Sequence, residues 1–225
     1  MTVTRREVLI GAGGLASSLA IGVPVANAVG DVQPAAQQRA SQQPAGRKLK
    51  VVVTGGHPGD PEYGCGGTIA RYTGLGHEVV LLYLNDGVRQ PILAPARIAE
   101  AKKACEILEA RPVWAGQATG HAVVDDAHYE EWAKILDAEQ PDIVFTQWPI
   151  DNHPDHRATV NLTYGAWVQS KRKFSLYYYE VSDGEDILQF SPTHYIDITE
   201  QEPTKRAACY AHASASPDSF YKLQD

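Results

Sequence analysis

Basic residues are scarce in this 225-residue chain: 20 lysines and arginines stand against 27 aspartates and glutamates, a formal net charge of −7. A nucleic-acid footprint or electrostatic docking on anionic lipid needs a basic face, so the balance argues against both. Cysteine is rare as well. Cys65, Cys105 and Cys209 are odd in number and show no C-x-x-C spacing, which speaks against a disulfide framework and a thiolate zinc site. Any metal must then be held by nitrogen and oxygen. No repeat of fixed period occurs, so a solenoid or propeller is unsupported. A long apolar run is missing too: residues 8–25 are broken by Gly11, Gly13, Gly14, Ser17 and Ser18 and stopped by Pro24, poor material for a stable span.

What precedes and follows that weak apolar stretch is informative. Arg5-Arg6 stands before it and Ala26-Asn27-Ala28 supplies small residues for cleavage, so residues 1–28 read as a twin-arginine export signal. The expected location is periplasmic or extracellular, with no stable membrane span after cleavage. Removing Arg5, Arg6 and Glu7 with the signal leaves 18 basic against 26 acidic residues, or −8. Residues 29–48 turn to Gln, Ala, Pro and Ser without an aromatic residue, too polar to bury themselves, and read as a disordered tether. The Gly11-Ala12-Gly13-Gly14 run has no strand before it and so fails the context test for a nucleotide loop.

Hydrophobic content of 44% suits one α/β domain, expected over residues 49–225. Short β-branched or aromatic runs place strands at 49–54, 78–84, 113–115, 143–148 and 176–181. Helical spacing falls between them: through Ile69, Ala70 and Tyr72, from Pro95 to Leu108, over 129–138, and from Pro154 to Val168. Such alternation predicts a Rossmann-like, doubly wound, mostly parallel α/β sheet of order 3-2-1-4-5 with helices on both faces. In that order strands one and four are neighbours, and their carboxyl ends flank the crevice where ligands bind.

Both of those strand ends carry a His-Pro motif. After strand one comes His57-Pro58-Gly59-Asp60-Pro61-Glu62, and after strand four Asp151-Asn152-His153-Pro154-Asp155-His156. Either alone reads as a hydrogen-bonded turn histidine, with Asp155 an acidic first-turn residue matching the helix dipole. Together, at the ends of adjacent strands, they read as a hydrolytic Zn²⁺ site in which two imidazoles and one carboxylate leave a position open. The ligands proposed are His57, Asp60 and His156, with His153 beside the metal at the helix start. His77, His121, His128, His194 and His212 have no matching partner at short range and read as surface or ordinary hydrogen-bonding residues.

At these residues a family resemblance enters. The run Gly56-His57-Pro58-Gly59-Asp60-Pro61-Glu62-Tyr63-Gly64-Cys65-Gly66-Gly67-Thr68 resembles the A-H-P-D-D-E…G-C-G-G-T signature of the PIG-L/LmbE family, zinc-dependent de-N-acetylases of N-acetylglucosamine conjugates. His153-Pro154-Asp155-His156 looks like its second motif, and the likeness extends through Arg97-Ile98-Ala99-Glu100, Tyr179-Glu180 to Asp197, and Lys205 to Ser214. The resemblance implies zinc on His57, Asp60 and His156, with His153 as electrostatic stabiliser or acid. It also implies a general base at the first aspartate of H-P-D-D, and that position is Gly59. Asp155, Glu62 and Asp151 are then the carboxylates available to replace it through a water. Many members carry glutamine after the late His-x-Ser, where Ala215 stands here, and members commonly run on past the position of Asp225, so part of the substrate pocket is expected beyond it.

The activity implied is removal of an N-acetyl group from an N-acetylglucosamine-type sugar or glycoconjugate, with release of acetate. Arg97, Asp86 and Asn85 are candidates to hold sugar hydroxyls, surface ion pairing and turn capping being the plain alternative. Two other functions use the same residues: a catalytically weakened, secreted metal-bearing carbohydrate-binding protein, and an amidase acting on a non-sugar amide. A nucleotide-binding protein is the weakest reading, because His57, Pro58 and Asp60 interrupt the glycines after strand one. Asn161-Leu162-Thr163 matches a glycosylation sequon but falls inside a predicted helix and is read as chance.

Overall fold

The computed structural model describes residues 47–89, 93–181, 188–219 and 221. The expected signal at 1–28 and the tether up to residue 46 lie outside the described residues.

Lys50, Val51, Val52, Val53 and Thr54 form an almost purely β-branched run, and it becomes β1 (Lys50–Gly55), the central strand. β2 (Glu78–Tyr83) flanks it on one side and β4 (Ile143–Gln147) on the other. β3 (Arg111–Trp114) and β5 (Ser175–Tyr179) complete a parallel sheet of order β3-β2-β1-β4-β5, as the alternation predicts. Register is set at Val52, which lies opposite Val80 on one side and Val144 on the other.

Successive strand residues point to opposite faces, and both faces are covered. Val51, Val53, Leu81 and Tyr83 pack under α1 (Asp60–Gly74), α2 (Ala94–Ile107) and α5 (Glu202–Tyr210). Val52, Val80, Leu82 and Val144 pack under α3 (Asp126–Glu139) and α4 (Pro154–Gln169), where Trp132, Leu136 and Leu162 fill the interior. Among the described residues no helix is long and apolar enough to cross a membrane.

Several element bounds differ from expectation by a residue or more, and one helix is additional. β3 begins at Arg111 and includes Pro112, which the sequence reading left outside the strand. β3 is an edge strand paired only with β2, so a residue without an N–H is tolerated there. β5 begins at Ser175 and ends at Tyr179, two residues before the expected end. The short α5 was not foreseen, because its nine residues are polar on average and its apolar side chains after Pro203 are confined to Ala207–Tyr210, too short a stretch to show a repeat.

The glycines of α1 have a packing reason. A Cβ at Gly64 would meet the Glu180 carbonyl oxygen and stand 2.6 Å from the Tyr179 ring, and one at Gly67 would stand 2.7 Å from Ile198 Cβ. The segment leaving β5 and the segment entering α5 therefore lie directly on the α1 backbone. Gly64→Ala is expected to destabilise the fold by about 1–3 kcal/mol through overpacking, seen as a lower urea midpoint. An unchanged midpoint would contradict this close approach.

Candidate metal centre

The loops after β1 and β4 face one another because their strands are parallel neighbours. After β1 the chain turns tightly: the Asp60 N–H donates to the His57 carbonyl at 3.2 Å, and α1 starts at Asp60 itself. After β4, His153 is the N-cap of α4, Pro154 opens the helix, and His156 falls in its first turn. The His156 ring lies over Gly56, where a Cβ would be 2.9 Å from its Cδ2.

These turns bring His57, Asp60 and His156 together. His57 Nδ1 is 3.2 Å from Asp60 Oδ2, His156 Nε2 is 3.1 Å from the same oxygen, and the two nitrogens are 3.3 Å apart. Tetrahedral ligands at about 2.0–2.1 Å from zinc stand roughly 3.3 Å from one another, so the spacing and the N₂O donor set fit that ion. A looser grouping overlaps this one: donor atoms of His57, His153 and His156 lie within 4.8 Å of one another. The tighter triangle fits direct ligation better, and His153 Nδ1 is already engaged, accepting the Asp155 N–H at 3.2 Å. The nitrogen His153 leaves available is Nε2.

Each ring is oriented from behind. His57 Nε2 meets Asp155 Oδ2 at 3.1 Å, and His156 Nδ1 meets Asp151 Oδ2 at 2.9 Å, the carboxylate–histidine arrangement that fixes tautomer and ring direction in metal sites. Gln147, at the end of β4, donates to Asp60 Oδ2 at 3.1 Å and accepts the Gly56 N–H at 3.0 Å. Asp155 Oδ2 also accepts the Asn85 amide at 3.1 Å and the Gly120 N–H at 2.7 Å.

The electrostatics follow. Burial works against a charged ring at His57, but the Asp60 charge and the hydrogen bonds to Asp155 and Asp60 outweigh it and push the ring up to about 9. The same contest, with Asp60 and Asp151 as the acids, raises His156 to about 10. Burial alone would raise Asp60, yet the two rings hold it well below the usual carboxylate range. Asp155 is likewise held down, burial being outweighed chiefly by His57 and the Gly120 N–H. His153 moves the other way: burial first, then the charges of His57 and His156, lower it and favour a neutral ring.

The substrate-holding candidates separate. Asn85 is fully buried, its amide given to Asp155 and its carbonyl to the Gly87 N–H and Thr119 hydroxyl, so it lies behind the site and does not face a sugar. Asp86 lines a crevice of about 340 Å³ with Arg89, Thr119 and His121. Arg97 donates to the Pro58 carbonyl at 3.2 Å, beside the first motif. Asp155, read as a possible base, is instead enclosed behind His57: its Oδ1 is buried and makes no hydrogen bond among the described residues. Asp151 and Glu62 are also buried with both oxygens accepting hydrogen bonds. Gly59 sits at φ +109°, a backbone conformation side chains rarely adopt.

Several residues of the site escaped the sequence reading. Gln147 gave no signal beyond its place at a strand end. Asp151 was visible two residues before His153-Pro154, but as a base and not as the partner of His156. His212, set aside as ordinary, is buried with its Nε2 3.0 Å from Glu62 Oε1.

Comparison with known proteins places the chain among relatives. The diacetylchitobiose deacetylase of Thermococcus kodakarensis is 27% identical over 207 residues, covering 77% of this chain and 73% of that protein. Among solved structures, a conserved protein of Thermus thermophilus matches with a TM-score of 0.65 and 27% identity over 74% of this chain and 79% of its own. The N,N'-diacetylchitobiose deacetylase of Pyrococcus horikoshii, solved with an inhibitor, matches with a TM-score of 0.64 and 26% identity over 74% and 70%. Residues 52–167, just over half of the chain and inclusive of both His-Pro motifs, match the GlcNAc-PI de-N-acetylase family. The chain belongs to that family, PIG-L.

Proposed function

We propose that this chain is a zinc-dependent hydrolase that removes the N-acetyl group from an N-acetylglucosamine-type sugar, releasing acetate and a free amine. The observation that carries the reading is the triangle of His57 Nδ1, Asp60 Oδ2 and His156 Nε2 with sides of 3.1–3.3 Å. Family membership and the chitobiose-deacetylase relatives support the substrate class.

His57, Asp60 and His156 would hold the ion. Zinc, when bound, supplies a Lewis acid that polarises the amide carbonyl and acidifies water to a pKa of about 7. Asp155 and Asp151 keep His57 and His156 turned toward the ion. His153, neutral and engaged through Nδ1, presents Nε2–H as a hydrogen-bond donor to the acyl oxygen as charge develops there, the stabilising role that the resemblance implies. Asp86 lines the crevice in which sugar hydroxyls would sit, and Arg97 braces the first motif through the Pro58 carbonyl.

His156→Ala is expected to lose the zinc that the unaltered chain holds at about one ion per molecule, measured by elemental analysis after desalting. Retention of the full zinc content would remove the proposed ligand set. Without the ion, His57 and His156 keep protons through neutral pH because their values are raised to about 9 and about 10. Zinc must displace both, so its apparent affinity should rise roughly 100-fold per pH unit between about pH 6 and 8. An affinity independent of pH over that span would rule out ligation by these two rings.

Among the described residues, the carboxylates read as possible bases, Asp151, Asp155 and Glu62, are all buried, which favours a slow catalyst or, as the second reading, a metal-bearing carbohydrate binder. Incubation of zinc-loaded protein with N,N'-diacetylchitobiose separates them: acetate release supports the hydrolase, and calorimetric binding without acetate selects the binder. Position 59 adds a sharper test. An added Cβ there meets nothing closer than the His212 ring carbons at 4.0 Å, so there is room for a carboxylate, but φ +109° is strained for any side chain. Gly59→Asp should therefore cost about 1–3 kcal/mol of stability while raising turnover by up to about 10²–10⁴-fold through a restored general base. Turnover that does not rise in folded protein would show that this position is not a base site.

A further inference from the structure

Behind the first motif lies a buried polar cluster that the metal reading does not use. Glu62, in the first turn of α1, is excluded from water, and a buried carboxylate is tolerated only with donors around it. It has three. Its Oε2 accepts the Gly59 N–H at 3.0 Å, and its Oε1 accepts the Tyr83 hydroxyl at 2.6 Å and meets His212 Nε2 at 3.0 Å. Tyr83 comes from the end of β2, whereas His212 comes from the segment after α5, 150 residues from Glu62 in sequence.

His212 is itself fixed from outside the cluster. Its N–H donates to the Cys209 carbonyl at the end of α5, and its carbonyl accepts the Ala215 N–H at 2.9 Å. Two residues on, Ser214 donates its N–H and its hydroxyl to the two carboxylate oxygens of Glu100 on α2, at 2.9 and 2.6 Å. Through these bonds α2 and α5 hold the His212 ring, the ring meets Glu62, and Glu62 holds the N–H of Gly59. Gly59 is the pivot of the turn that aims His57 and Asp60: its carbonyl accepts the Tyr63 N–H at 2.8 Å, and its φ of +109° is open to glycine but not to residues with a Cβ. Glycine has the most backbone freedom to lose on folding, so a turn built on it depends on surrounding contacts to keep one shape.

We infer that His212 and Tyr83 are positioning residues that, through Glu62, hold the Gly59 turn in the shape that lets His57 and Asp60 share one ion. The inference rests on the metal reading above. It adds that the affinity of a site built at the ends of β1 and β4 is set in part by a histidine of the C-terminal segment, one that touches neither the ion position nor the substrate crevice. Partners that orient ligands at one remove typically alter metal affinity or activity by about 10–100-fold when removed. His212→Leu should show such a loss, with kcat falling more than KM changes. His212→Gln, which keeps an amide N–H near the place of Nε2, should recover most of it.

The test is a zinc titration with a competing chelator on the full chain, together with steady-state deacetylation and thermal unfolding of the metal-free protein. Should His212→Leu fail to fold, Tyr83→Phe removes a donor from the same carboxylate oxygen with little change of shape and should weaken zinc in the same direction. Leu136→Ala, in the opposite core layer, serves as the control that lowers stability without touching this cluster. Weaker zinc binding in the cluster variants but not in Leu136→Ala, with recovery in His212→Gln, supports the positioning role. Equal zinc affinity and kcat in wild type, His212→Leu and Tyr83→Phe, with only stability lowered, overturns it. An unaltered chain that takes up no zinc overturns the metal reading itself, a different result from uptake that is the same in all variants.

Discussion

Parallel pairing of β1 with β4 is the constraint on which the rest depends. Strands at the middle of a doubly wound sheet deliver their carboxyl ends to one edge, and here the two neighbours at that edge are far apart in sequence. The pairing is held by ordinary means: Val51, Val52 and Val53 opposite Ile143, Val144 and Phe145, with Thr54 and Thr146 hydroxyls joined at 2.8 Å where the strands end. Everything chemically distinctive lies within a few residues of that point. The apolar ladder stops and side chains that cannot be buried alone begin.

Those side chains are stable there only as a set. Asp60, Asp151, Asp155 and Glu62 are all largely withdrawn from water, and each meets at least one histidine: Asp60 meets His57 and His156, Asp151 meets His156, Asp155 meets His57, and Glu62 meets His212. Burial pushes acids toward neutrality and histidines toward neutrality as well, so neither kind would be charged in isolation. Their contact reverses both tendencies, raising His57 and His156 and depressing Asp60. The triangle of two rings and one carboxylate is thus a place prepared for positive charge, supplied by protons when no ion is bound and by the proposed divalent ion when one is. His153 differs because burial, and then the charges of His57 and His156, oppose a proton on it.

Which parts of this were legible in the sequence has a physical explanation. Strand order could be read because buried parallel strands are short β-branched runs and the helices between them are long enough to show period; β1, β2 and β4 are of this kind. Shortness and polar composition are what hid α5, and the tolerance of an edge strand for proline is what misplaced the start of β3. In the site, residues that declare themselves by motif spacing were found, namely His57, Asp60, His153 and His156. Residues that act on those four from another element were not. Gln147 and His212 reach the site only through tertiary contact, and Asn85 was read as a candidate to hold sugar hydroxyls because a linear pattern does not reveal that its amide donates to Asp155 and its carbonyl accepts the Thr119 hydroxyl.

The glycine at position 59 shows how backbone and chemistry constrain each other. A Cβ there would face the His212 ring carbons at 4.0 Å, while Asp151, Asp155 and Glu62 are each buried behind a ring or an N–H. Yet a φ of +109° is a conformation glycine adopts freely and other residues do not, and the turn so formed donates its N–H inward to Glu62. A residue with a Cβ would therefore have to relax the turn and, with it, the hydrogen bond that ties the turn to the buried Glu62 carboxylate. Backbone and chemistry at position 59 are coupled in this way: the turn that the Glu62 cluster holds from within is one that a side chain would strain.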